Sequence, residues 1–225
     1  SITARDHEIT FDRLKNDKVK VRWSGYERFT DRWPVYRCIV YEHELDGERY
    51  ALVDGTWYKI DCDFYTRVHD YIGGIEAPTN PLPDYDHENE GDYNTTVGDS
   101  HDDLVCLDRN LIRPTGGNSS IEVCDLLSNR GEFIHVKRKT HSATLSHLFS
   151  QGTVSMRIFL QDKEFRLELR RRLRDHAEFQ RLIPGTRRVD DRDRFKVVYA
   201  IVADETDNWP HSLPFFSQLN LMQNA

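Results

Sequence analysis

The sequence predicts a mixed α/β (α+β) protein, in which an N-terminal antiparallel β-meander precedes an α/β core. Two Asp-Gly pairs, at 46–47 and 54–55, interrupt a stretch rich in β-branched and aromatic residues over 35–60. Asp-Gly between such runs is a strong hairpin signal, because both residues tolerate the positive φ of a tight turn. From residue 88 onwards the predicted order is helix, strand, hairpin, helix, strand, which is typical of an α/β core.

Two regions are predicted along the chain. Residues 1–75 contain the meander and a short helix over 61–72, which two glycines end, and they form an accessory region. Residues 84–225 form the α/β core, which is predicted to be truncated at its C-terminus and to be part of a longer chain. Three prolines between these regions favour a linker there.

Charge is distributed unevenly between the two halves of the chain. Residues 1–129 carry 14 Lys and Arg against 26 Asp and Glu, a net charge of −12, whereas residues 130–196 carry 17 against 9, a net of +8. A polyanionic partner is therefore expected to bind the second half. No apolar run approaches the roughly 18 residues that span a bilayer. The sequence therefore predicts no membrane partner. The four cysteines form no CxxC pair, which favours reduced thiols in a cytoplasmic protein.

Two segments of the core, 121–127 and 133–137, are predicted to form an antiparallel hairpin. Because side chains alternate across a strand, Asp125 is predicted to lie beside His135 and Lys137. A carboxylate and a second ligand can hold a divalent cation, which activates water for phosphodiester cleavage. A nearby lysine can position that water or stabilise the developing charge.

The spacing of these residues resembles the restriction-endonuclease-like PD-(D/E)xK superfamily. Members have an aspartate at the start of a hairpin and Glu-x-Lys on the returning strand, followed by a helix and a further strand. The resemblance implies that Asp125 binds the metal, that Lys137 is the motif lysine, and that Glu90 on the preceding helix is a further acidic ligand. His135 stands where Glu or Gln is expected, and an imidazole ligand suits Mn²⁺ better than Mg²⁺.

A longer stretch is similar to a sporadically distributed family of larger bacterial proteins that has no established activity. The similarity lies in IEVCDLL and EFIHVKRKTHSATLSHLFSQG, with DGTWYKID upstream and LPFFSQLNL downstream. Its patchy distribution is typical of mobile defence genes, and the resemblance implies that this chain is the C-terminal part of a longer protein.

Three functions are compatible with these patterns. The first is a metal-dependent nuclease acting on DNA in phage defence or restriction, in which Asp125, His135 and Lys137 are catalytic. Asp125, His135 and Glu90 would hold Mg²⁺ or Mn²⁺ in that enzyme. The second is a degenerate nuclease fold that binds nucleic acid without cutting it, and the third is a protein-interaction domain with an acidic N-terminal half. A homodimer is left open, and nucleic-acid phosphates are predicted to meet seven basic residues: Arg138, Lys139, Arg170, Arg171, Arg172, Arg187 and Arg188.

Overall fold

The computed structural model describes residues 9–22, 28–78, 81–139, 142–204 and 207–224. The chain divides into two compact units, Ser1–Val68 and His69–Ala225. This division falls a few residues before the boundary over 75–84 that the sequence predicts. The predictions made for residues 1–8, 23–27, 79–80, 140–141, 205–206 and 225 lie outside the described residues. Within the described ranges, no helix combines the length and apolar character needed to cross a membrane.

The first unit contains the predicted antiparallel meander. Its strands β3, β4 and β5 pair in chain order, which confirms the meander, and a separate pair joins β1 to β2. Both Asp-Gly turns have φ values between 50° and 76°, as tight hairpin turns require. The elements are α1 (Phe11–Asn16), β1 (Lys18–Val21), β2 (Thr30–Pro34), a 3₁₀ helix (Val35–Cys38), β3 (Tyr41–Leu45), β4 (Glu48–Val53) and β5 (Thr56–Lys59).

The division between the two units falls within the helix α2 (Cys62–Gly73). The other elements of the second unit come after this helix in the chain. Its remaining elements alternate between helices and short strands, so the predicted mixed α/β class is confirmed. The restriction-endonuclease-like assignment of this core stays a prediction. The elements are α3 (Glu90–Ser100), β6 (Leu104–Cys106), β7 (Leu111–Ile112), β8 (Ile121–Glu122), β9 (Leu126–Ser128), β10 (Glu132–Arg138), α4 (Ser142–Gln161), α5 (Lys163–Arg172), α6 (Ala177–Leu182), β11 (Lys196–Val202) and α7 (Phe215–Asn224).

A four-stranded mixed sheet organises the second unit. Its strand order is β11-β10-β9-β6, with β10 and β11 parallel and the other two pairings antiparallel. The parallel pair is connected through α4, which packs on β10 and β11. On the opposite face, α3 buries Tyr93 and Val97 against Ile134 and Val136. The sheet is therefore covered by helices on both faces, which explains why β9 is wholly buried and why β10 is buried over its central residues 133–136.

The strand predicted over 121–127 is interrupted, and this corrects the sequence-based interpretation. Ile121–Glu122 pairs with β7, whereas Leu126–Ser128 joins the main sheet. Between them Val123 and Cys124 are adjacent and both fully buried, so the chain bends there instead of alternating. The apolar pattern alone does not specify which strand each half pairs with.

Gly152 of α4 lies directly against Tyr199 of β11, and this contact yields a first prediction. A Cβ atom at this position would lie 2.7 Å from the tyrosine hydroxyl oxygen. Gly152→Ala is expected to destabilise the protein by about 1–3 kcal/mol through overpacking, although alanine favours helices more than glycine. Urea unfolding measures this. The control is Gly185→Ala, whose Cβ would have no neighbour nearer than 3.8 Å, and equal losses in both variants would contradict the close contact.

One fully buried arginine fixes a loop at the surface of the second unit. Arg166 of α5 donates to the carbonyl oxygens of Phe159 at 2.6 Å, Pro184 at 3.1 Å and Thr186 at 2.7 Å. A further bond, at 3.3 Å, reaches the carbonyl oxygen of Arg187. These bonds satisfy a guanidinium that has no exposed surface, and they hold the backbone of residues 184–187.

Candidate metal centre

The candidate site lies at one end of the main sheet, where β6 and β10 end and β9 begins. Asp125 immediately precedes β9, and its backbone continues the ladder beyond that strand. Its N–H donates to the Ile134 carbonyl oxygen at 3.0 Å, and its carbonyl oxygen accepts from the Leu107 N–H at 2.8 Å. These two bonds bring Asp108, the residue after Leu107, next to Asp125.

Three carboxylates converge at this end of the sheet. One oxygen each from Asp108, Glu122 and Asp125 can be chosen so that all three lie within 4.8 Å of one another. Glu122 joins the other two because the chain bends at residues 123–125, whereas an unbroken strand would direct it to the opposite face. Of the predicted ligands, only Asp125 belongs to this cluster, which is the one such group among the described residues.

Glu122 is held in place through both of its oxygens. Oε1 accepts from the Arg109 N–H at 2.6 Å, and Oε2 accepts from Nε2 of Gln151 on α4 at 2.8 Å. One turn further along α4, the Ser155 hydroxyl donates to the carbonyl oxygen of Val123. Helix α4 therefore fixes both the backbone of the bend and the carboxylate that the bend presents.

The Asp125 carboxyl group is unusually weak as an acid. Burial raises its pKa from the ordinary 3.8 to about 7, and the charges of Glu122, Asp108 and Glu90 act in the same direction. The Val136 N–H, which donates to Oδ2 at 2.7 Å, opposes this shift by stabilising the ionised form. The carboxyl group is therefore partly protonated near neutral pH.

Glu90 and Lys137 form a pair beside the cluster. The Lys137 ammonium contacts Oε2 of Glu90 at 2.6 Å, and the Arg138 N–H donates to Oε1 at 2.9 Å. Glu90 is not a member of the carboxylate cluster, because both of its oxygens face β10. Its contacts hold the lysine in position, and the metal-binding role that the resemblance implies for Glu90 stays a prediction.

His135 does not reach the carboxylates, contrary to the geometry predicted for the hairpin. Its side chain has 0% exposure and lies on the α4 side of the sheet, where its ring centroid is 6.2 Å from that of Tyr199. Neither ring nitrogen has a hydrogen-bond partner within the described part of the chain. Burial lowers the pKa of the imidazole to about 4, so it is neutral at physiological pH. Asp125 reaches β10 through the backbone of Val136, which explains why strand alternation did not bring it to His135.

An open groove of about 750 Å³ contains the carboxylates and Lys137. Acidic residues dominate its walls, so the charge of the groove itself is unfavourable for a phosphate. The charged residues that line it are Glu88, Glu90, Asp92, Asp108, Arg109, Glu122, Asp125, Lys137 and Arg138.

The seven basic residues predicted to contact phosphates differ in their availability. Arg170 donates to the carbonyl oxygens of Gln180 and Ile183, at 2.9 Å and 2.5 Å, and so anchors α6. Arg171 and Arg172 both pair with Glu168, at 2.7 Å and 3.0 Å. The remaining four have side chains at or near the surface, and one of them lines the groove: Arg138, Lys139, Arg187 and Arg188.

Asp108 and Glu122 are the site residues that the sequence reasoning missed. Asp108 is the last residue of the strand predicted over 104–108, and Glu122 lies three residues before Asp125 in the sequence. The misleading signal was strand alternation, which directed Glu122 away. The available clue was the adjacent apolar pair Val123 and Cys124, because two consecutive apolar residues break a one-sided pattern.

The cluster has the composition and dimensions of a site for a hard divalent cation. Mg²⁺ and similar ions take carboxylate oxygens at roughly 2.0–2.6 Å, so oxygens on opposite sides of one ion lie at most about 5 Å apart. The three oxygens lie within 4.8 Å of one another, which satisfies this condition. The donor set consists of oxygens alone, which suits Mg²⁺ or Mn²⁺.

The fold and the site together define a mixed α/β protein with a carboxylate cluster suited to a hard cation. The chain belongs to a family of unknown function, DUF6119, whose model matches residues 1–225. This result agrees with the resemblance to a family that has no established activity. No curated protein and no solved structure matches the chain.

Proposed function

We propose that the second unit is a metal-dependent nuclease domain that cleaves DNA in the cytoplasm, within a defence or restriction protein. The observation that carries this proposal is the convergence of Asp108, Glu122 and Asp125 in a groove that also contains Lys137. A divalent cation bound there would polarise a phosphate and lower the pKa of a coordinated water.

The side chains of the groove divide the remaining tasks. Glu122 supplies the second carboxylate, which members of the superfamily have at the position that His135 occupies in this chain. Asp125 must lose its proton to bind a cation, so loading of the site is expected to rise as pH increases through about 7. Lys137 has three N–H donors, of which one serves Glu90, and the others can reach a phosphate oxygen or the attacking water.

The order of elements supports the same proposal. A helix that carries Glu90 precedes the strands, Asp125 begins the hairpin, and a helix and a parallel strand follow. The superfamily resemblance implies this succession. One groove faces one DNA strand, so a homodimer would supply a groove for each strand of a duplex.

Charge in the groove gives the proposal a distinctive consequence. Because acids outnumber bases there, DNA is expected to bind only when a divalent cation is present. Arg138, Lys139, Arg187 and Arg188 would then contact phosphates, and this contribution should weaken as salt rises.

A second candidate is binding of nucleic acid without cleavage. The observation that favours it is the buried His135, which leaves β10 without the carboxylate that the motif requires. In that case cation-dependent DNA binding is expected with no strand scission.

Cleavage of supercoiled plasmid and of single-stranded DNA and RNA, with Mg²⁺ or Mn²⁺, tests the proposal. Lys137→Ala is expected to lower the rate at least about 100-fold, the usual scale for losing a positioned proton-transfer or charge-stabilising group. Lys163→Ala, which removes an exposed lysine at the start of α5, serves as the matched control. Cleavage by Lys137→Ala at the parental rate would mean that a contaminant cuts the DNA. Absence of both cleavage and cation-dependent binding would favour a protein-interaction role.

A further inference from the structure

A buried carboxamide whose oxygen has no partner lines the groove that contains the candidate metal centre. Asn94 of α3 has only 1% exposure, and its Oδ1 has no hydrogen-bond partner in the described ranges of the chain. The Tyr85 hydroxyl, which lines the same groove, is also buried without a partner. Buried polar atoms without partners are rare in native proteins, and each calls for an explanation.

The position of Asn94 on α3 places it beside the carboxylates. It follows Glu90 by four residues and Gly91 by three, so all three lie on the face of α3 that lines the groove. A Cβ atom on Gly91 would lie 3.3 Å from Oδ2 of Asp108, which shows how closely this turn of the helix approaches the cluster.

The chemistry around Asn94 restricts what can satisfy its oxygen. Asp108, Glu122 and Asp125 are acceptors when ionised, and an amide oxygen needs a donor. Water coordinated to a divalent cation is a strong donor, and Mg²⁺ usually keeps several of its waters when it binds to carboxylates. Leucine would fill a similar volume without leaving a polar atom unpaired.

We propose that Asn94 accepts a hydrogen bond from a water molecule of the bound cation, so that the site recognises a partly hydrated hard ion. This inference rests on the proposed function, because it assigns a second layer of contacts to the same cation. It makes Asn94 a positioning residue, since it acts on the ion through water.

Calorimetric titration of the full chain with Mg²⁺ at pH 8 tests the inference, with thermal unfolding in chelator as a second readout. Asn94→Leu is expected to weaken Mg²⁺ binding about 10-fold, the lower end of the effect of losing an outer contact to a metal site. The same variant should be at least as stable as the parent without metal, because its unpaired buried acceptor is gone. A purely structural asparagine would lower that stability and leave Mg²⁺ affinity unchanged.

Two further arms make the outcome decisive. Asn118→Leu, at an exposed loop position, should bind Mg²⁺ as the parent does. If Asn94→Leu does not fold, Asn94→Asp keeps the acceptor and should retain Mg²⁺ affinity, so a loss there would refute the role of Asn94.

The two levels of proposal fail in different ways. Parental Mg²⁺ affinity in Asn94→Leu overturns this inference and leaves the carboxylate centre standing. A parent protein that binds neither Mg²⁺ nor Mn²⁺ overturns the proposed function as well.

Discussion

Asp125→Asn is expected to make the metal-free protein more stable at pH 8 and to remove its response to Mg²⁺ or Mn²⁺. The folded protein raises the pKa of Asp125 to about 7, chiefly through burial, so ionising the group above that pH costs stability. Asparagine has the same shape, carries no charge, and can still accept from the Val136 N–H.

The pH dependence follows from the direction of that shift. The folded pKa of Asp125 lies above the ordinary 3.8, so the protonated carboxyl group contributes to the stability of the parent. This contribution is fully present below about pH 4 and is lost as pH rises through about 7. A shift of about three units corresponds to at most about 4 kcal/mol. The difference in free energy of unfolding between variant and parent should therefore grow between pH 5 and pH 8.

Urea unfolding in chelator across that pH range measures the effect. Asp190→Asn, at an exposed position, should show no such pH-dependent gain. Addition of Mg²⁺ or Mn²⁺ at pH 8 should stabilise the parent by mass action and leave Asp125→Asn unchanged. The same variant should lose DNA cleavage. A stability difference that is independent of pH would contradict the assignment of the raised pKa to Asp125.

His135→Leu is expected to stabilise the protein without weakening its affinity for divalent cations. Both imidazole nitrogens are buried without partners, and leaving a buried polar group unsatisfied costs about 1–3 kcal/mol. Leucine removes this cost and can occupy the same apolar surroundings next to Tyr199.

Acid should enlarge the advantage of His135→Leu. Burial lowers the folded pKa of His135 to about 4, below the ordinary 6.5, so the parent loses stability as pH falls from about 6.5 towards 4. The gap between the two proteins should widen over that range by about 3 kcal/mol. His147→Leu, an exposed position on α4, provides the control. Loss of Mn²⁺ binding in a folded His135→Leu protein would restore the histidine to the role that the motif implies.

Much of the fold follows from local signals. The meander was predictable because Asp-Gly turns specify tight hairpins through backbone geometry alone, and α2 was predictable from its single apolar face. The candidate site was only partly predictable, since Asp125 and Lys137 follow from a local motif. Asp108 reaches the site through the non-local bond between Leu107 and Asp125, and no short-range pattern encodes that bond.

His135 shows a second limit of prediction from a motif. Residues 135 and 137 alternate with their neighbours as any strand does, and the motif treats both as parts of one site. In the structure the two lie on one strand but in different surroundings. Position 135 is covered by α4, whereas the longer Lys137 side chain at the strand end reaches Glu90. Which of these surroundings a strand position has depends on the helices that cover the sheet.

Arg166 would give the exposed pair Arg187 and Arg188 an energetic advantage if this loop binds an anion. Its bonds to the carbonyl oxygens of Pro184, Thr186 and Arg187 hold the backbone of this loop before any partner arrives. Ordering a free backbone costs roughly 1–2 kcal/mol per residue in conformational entropy, and this cost has already been met during folding. An anion at the loop therefore needs to immobilise side chains only, so more of each contact energy remains as affinity.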